Sequence, residues 1–141
     1  MSKYFLVFSL FAIALFAAAC GSSGDNAAAG KVIKTAPAGN NLTATVSNDE
    51  GVLKKGAEEF TLTFSDASGK PVDVGAASFN LHMPAMGTMA VMNNTATLSA
   101  TGTPGVYRGK VDIEMAGEWQ AQIAYEGPAG KGKFSIPVTV Q

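Results

Sequence analysis

Residues 119–125, Trp119-Gln120-Ala121-Gln122-Ile123-Ala124-Tyr125, put an apolar side chain at every second position. Successive side chains of an extended chain point to opposite faces, so Trp119, Ala121, Ile123 and Tyr125 share one face and leave Gln120 and Gln122 on the other. The same period recurs on both sides of this stretch. Leu42, Ala44 and Val46 alternate with Thr43, Thr45 and Ser47, and Phe60, Leu62 and Phe64 with Thr61, Thr63 and Ser65. Tyr107/Gly109/Val111/Ile113 and Phe134/Ile136/Val138/Val140 follow the same rule. Turn-forming residues separate the runs at Asn48-Asp49-Glu50-Gly51, Asp66-Ala67-Ser68-Gly69, Thr103-Pro104-Gly105, Ala116-Gly117 and Glu126-Gly127-Pro128. No twelve-residue stretch carries a helical stripe. Short strands with one apolar face each bury those faces by stacking two sheets. The expected fold is therefore all-β, an immunoglobulin-like β-sandwich of about seven strands over residues 42–141, with a small barrel as the other architecture. With no cysteine pair, the core must hold without a bridge.

The chain has 141 residues and a formal charge of −1, enough for one small domain with accessories and without the basic surface that nucleic acid requires. Its accessories lie at the start. Lys3 precedes an uncharged apolar run from Tyr4 to Ala19, closed by small residues. That order is a secretory signal peptide over residues 1–19, and the run is short for a spanning helix, which needs ~20 apolar residues. Ala17-Ala18-Ala19-Cys20 resembles the lipobox of bacterial lipoproteins, in which the cysteine becomes an acylated N-terminus. Cys20 is the only cysteine; in an exported chain it has no internal disulfide partner, and acylation removes a reactive thiol. Gly21 stands where an Asp would signal inner-membrane retention, so in a two-membrane cell the resemblance implies an outer-membrane anchor facing the periplasm. Residues 21–41, rich in Gly, Ser, Ala and Asn, read as a flexible tether with a reach on the order of 25 Å. Within it, Lys31-Val32-Ile33-Lys34 is too brief to assign.

The chemistry-bearing stretch is Phe79–Met92, FNLHMPAMGTMAVM. It holds four of the six methionines and the only histidine, His82. Met83, Met86 and Met89 are spaced by three, with Pro84 and Gly87 between them. One of these lacks a backbone donor and the other favours turns, so strands are expected at Ala77–Met83 and Thr88–Met92 around a bend. Such a bend gathers Met83, Met86 and Met89 at one mouth with His82 at the rim. Thioethers are soft, neutral ligands suited to Cu(I) or Ag(I) and poor partners for Mg²⁺, Ca²⁺ or Zn²⁺. Methionine is equally a flexible gap-filler in cores, and packing stands as the second reading of the same residues. Met115 belongs to either. Tyr107 and Trp119, each two residues after a glycine, read as core rings or corner hydrogen bonds, with a cation-facing wall as the other role.

Leu81-His82-Met83-Pro84-Ala85-Met86-Gly87, followed by Gly105-Val106-Tyr107-Arg108-Gly109 and Met115-Ala116-Gly117-Glu118-Trp119, resembles the YtkA-like domain, related to the FixH proteins. The resemblance covers roughly residues 42–141 and implies a small exported or membrane-tethered β-sandwich. FixH-type proteins are associated with copper supply to haem-copper oxidases, and similar domains accompany metal-efflux adaptors. The resemblance thus implies copper handling, with envelope metal-transport or oxidase-assembly proteins as partners. FixH proteins carry a transmembrane helix where this chain carries the lipid-attachment sequence.

Nothing in the sequence assembles an active site. His82 has no acid partner in its own segment, Cys20 is assigned to lipid, and no glycine loop matches a phosphate cradle. Asp112, Glu114 and Glu118 read as a solvated acidic face. Two functions remain: a membrane-anchored Cu(I) or Ag(I) binder using His82, Met83, Met86 and Met89, or a non-metal structural module of a cell-envelope complex.

Overall fold

The computed structural model describes residues 30–141; the signal peptide expected over residues 1–19 and the lipid attachment expected at Cys20 lie outside the described residues. Nine strands follow one another: β1 (Lys31–Gly39), β2 (Leu42–Asn48), β3 (Gly56–Ser65), β4 (Ala76–Met83), β5 (Met92–Thr95), β6 (Thr97–Ala100), β7 (Val106–Ile113), β8 (Gly117–Gly127) and β9 (Gly130–Val140). They form two antiparallel sheets, ordered β1-β2-β3-β7-β6 and β5-β4-β8-β9. With β3 as the second strand of an immunoglobulin domain, β2-β3-β7-β6 correspond to its A-B-E-D sheet, extended at the edge by β1, and β5-β4-β8-β9 to C′-C-F-G. The fold is the expected β-sandwich.

The period of two is what the core is made of. Along β8, Trp119, Ala121, Ile123 and Tyr125 are buried while Glu118, Gln120 and Glu126 are exposed. β3 supplies Phe60, Leu62 and Phe64 from the facing sheet, and β4 supplies Phe79, Leu81 and Met83. Each such large side chain contributes about 1.5–3 kcal/mol by leaving water. Gly109 sits among them because there is no room for more. It pairs with Phe60, and a Cβ at position 109 would fall 2.2 Å from the Phe60 ring, which in turn packs on Phe79 with centroids 4.5 Å apart.

Three expectations need correction. The tether does not run to residue 41, because Lys31–Gly39 is a full edge strand paired with β2 from Lys31↔Asn48 to Gly39↔Leu42. Its side chains are mostly exposed and its ladder carries two irregularities, so no apolar period announces it. Pro37 is tolerated because an edge strand has one unpaired side. Asn40 and Asn41, both at positive φ (52° and 60°), make the two-residue turn that closes this hairpin. The second correction concerns Thr88–Met92: the strand begins only at Met92, and Thr88–Val91 belongs to a turn and its exposed flank. The third is the count. β1 and the four-residue β6 raise the strands from about seven to nine.

Tyr107 and Trp119 act as structural rings. The Trp119 side chain is 1% exposed, and its Nε1 donates to the Met115 carbonyl at 3.0 Å. The Tyr107 hydroxyl donates to the Gly75 carbonyl at 2.5 Å, tying β7 to the loop before β4. Burial, and then the Asp73 carboxylate, push the Tyr107 phenol above its ordinary value. A phenol with a raised folded value stabilises the fold fully below about pH 10 and loses that contribution as pH rises through the folded value. Tyr107→Phe is expected to cost about 1–2 kcal/mol at neutral pH, since the Gly75 carbonyl loses its donor. Urea midpoints for both proteins at neutral and alkaline pH check this: the gap between them should narrow on the alkaline side.

Candidate metal centre

β4 and β5 form a hairpin whose ladder includes Asn80↔Thr95, Leu81↔Asn94, His82↔Asn93 and Met83↔Met92. Beyond Met83 the ladder lapses at Pro84, which has no N–H to give. It resumes in one place, where Met86 and Met89 exchange both backbone hydrogen bonds, Met89 N to Met86 O at 2.9 Å and Met86 N to Met89 O at 3.2 Å. Gly87, at φ +58°, takes the first position of the two-residue turn between them. Glycine there and a negative φ at Thr88 are the pattern of a type II′ hairpin turn.

This turn decides which of the expected ligands meet. Met86 and Met89 lie directly opposite each other, and side chains of such a pair leave the hairpin on one face with Cβ atoms ~5 Å apart. Both are open to solvent, Met86 at 55% and Met89 at 39%. Met83 does not join them. It is 2% exposed, on the inward face of β4 with Phe79 and Leu81, and its methyl end packs by Gly117. The expected three-sulfur mouth is therefore a two-sulfur pair, because period two commits Met83 to the core before the bend begins. Met92 and Met115 also pack against the core.

His82 points to the outer face of the same hairpin, opposite Met83. Its Nδ1 lies 2.9 Å from Asn93 Oδ1, which also accepts from Asn80 Nδ2 at 3.3 Å. Asn80 is fixed in turn by Gln122 Oε1 at 3.2 Å and by the Thr95 hydroxyl at 3.1 Å. A carbonyl oxygen only accepts, so Nδ1 is the donor in this contact, and the neutral tautomer that makes it leaves the Nε2 lone pair to solvent or a ligand. The Met86↔Met89 pair continues the register of His82↔Asn93. By that register His82 shares the face of the two methionines, four residues back along the strand, roughly 13 Å in extended chain. Among the described residues no three His, Cys, Asp or Glu side chains gather into a metal-sized group. The donor set at the tip is thus thioether sulfur, with an imidazole nitrogen behind it.

The chain is thus a two-sheet immunoglobulin-like domain that carries a pair of facing methionines at a hairpin tip. The sequence model of the YtkA-like family matches residues 37–124, from within β1 to near the end of β8. The chain belongs to the YtkA-like family. No curated protein matches it.

Proposed function

We propose that this chain is an exported, lipid-anchored protein that binds Cu(I) or Ag(I) as cargo at the Met86/Met89 pair for copper handling or efflux. The observation that carries the reading is the type II′ turn, which sets two exposed thioethers side by side. Two neutral sulfurs and no carboxylate at the tip favour a soft monovalent ion, which accepts low coordination numbers, over a hard divalent one. His82, the chain's only histidine, lies on the same face by register, four residues back from Met86. Cys20 supplies the anchor, by the sequence that precedes it.

Competition titration of the purified protein against a Cu(I) chelator tests this, with one equivalent expected to bind. Thioethers carry no proton in the working range, so a site made by Met86 and Met89 holds its affinity from about pH 5 to pH 8. Absence of a bound equivalent would leave the second function, an interaction module of the envelope that uses the apolar tip as a contact.

A further inference from the structure

We infer that the β4–β5 tip itself rests in the lipid surface to which the N-terminus leads. This rests on the anchoring part of the proposed function and is independent of whether the tip binds metal.

All eight residues from Pro84 to Val91 are exposed. The tip contains Met86, Met89 and Val91, three of the four large hydrophobic side chains open to solvent among the described residues. It carries no charge, and no Asp, Glu, Lys or Arg occurs anywhere between Asp73 and Arg108. An apolar, uncharged protrusion on a protein with a membrane nearby fits the boundary between headgroups and acyl chains, where insertion is ~5–10 Å deep. The tip extends beyond the Met83↔Met92 pair by four residues on each arm, long enough for that depth at ~3.3 Å per residue.

The topology puts the tip at the membrane end. Lys31 pairs with Asn48, and the connection from Asn48 leads to Gly56, which pairs with Ile113. Three residues then join Ile113 to Gly117, which pairs with Val140 and lies against Met83. The first described residue and the methionine turn therefore leave the same end of the sandwich. Cys20 stands ten residues before Gly30 in the sequence, and ten residues of chain span at most roughly 35 Å. The eleven-residue β8 is ~36 Å long, so the opposite end, with the Asp66–Gly69 turn, stays away from the bilayer.

The test uses the full acylated chain in phosphatidylethanolamine/phosphatidylglycerol vesicles with a bimane label at Ala90→Cys or, at the far end, Ala67→Cys. Acylation of Cys20, checked by mass, leaves the introduced thiol as the only one. Lipid-borne nitroxide is expected to quench position 90 at least five-fold more than position 67, and aqueous iodide to do the reverse. Adding Met86→Asp and Val91→Asp should bring position 90 to the level of position 67. Equal lipid quenching at both positions overturns the proposal, including the case where iodide fails at position 90 because a second copy or another protein covers it. Met86→Leu with Met89→Leu separates the two readings. It keeps the tip apolar and the lipid quenching intact, while Cu(I) binding is read in solution without vesicles.

Discussion

Replacing Met86 and Met89 together by Leu should remove the bound Cu(I) equivalent, weakening affinity at least roughly 100-fold, about 2.7 kcal/mol. The substitution is nearly isosteric and exchanges a soft donor for a hydrocarbon that donates nothing. Because both side chains are solvent-exposed and the turn is held by backbone hydrogen bonds and Gly87, the fold should be indifferent to it. Thermal midpoints of the two proteins should agree within a few degrees. The comparison that gives the result its meaning is Met83→Leu. Met83 packs in the core, so that variant should retain the metal and shift only stability, by less than about 1.5 kcal/mol. Loss of copper with Met83→Leu and retention with the double variant would place the site elsewhere.

The largest expected loss of stability comes from Trp119→Ala, about 3–5 kcal/mol. Trp119 is among the largest fully buried side chains, and it begins the inward row of β8, the strand that pairs with both β4 and β9. Its removal opens a cavity between the sheets near the end that carries the tip and leaves the Met115 carbonyl without its indole donor. A small domain holds only about 5–15 kcal/mol in total, so this single change consumes a large share of it. Urea denaturation would show it as a fall in midpoint with little change in slope. Trp119→Phe should recover part of the loss, since a smaller ring fills part of the space without replacing the hydrogen bond.

The strands that the sequence announces plainly are those with one face in the core. β8 and β7 alternate almost without fault, and β2, β3 and β9 follow. β1 was hidden because an edge strand with exposed side chains on both faces has no apolar period, and its existence depends on backbone bonds to β2. Its legible trace is the pair Asn40-Asn41, a two-residue hairpin turn sitting in what reads as tether composition. β5 and β6 are four residues each, with one or two apolar side chains, too short for a period to appear. At the candidate site the sequence held both halves of the answer. Phe79, Leu81 and Met83 already alternate, which places Met83 inside. A spacing of three around a glycine, read along a strand, separates Met86 from Met89; read as a hairpin turn, it sets them opposite each other. Which of these applies depends on the backbone at Gly87, and that is a property of the folded chain.

X-ray absorption at the copper edge on the Cu(I)-loaded protein reads which atoms hold the ion. A sulfur shell around the ion that disappears in the Met86→Leu, Met89→Leu variant is the predicted result. A spectrum with only nitrogen and oxygen neighbours, or a sulfur shell unchanged in that variant, would contradict it.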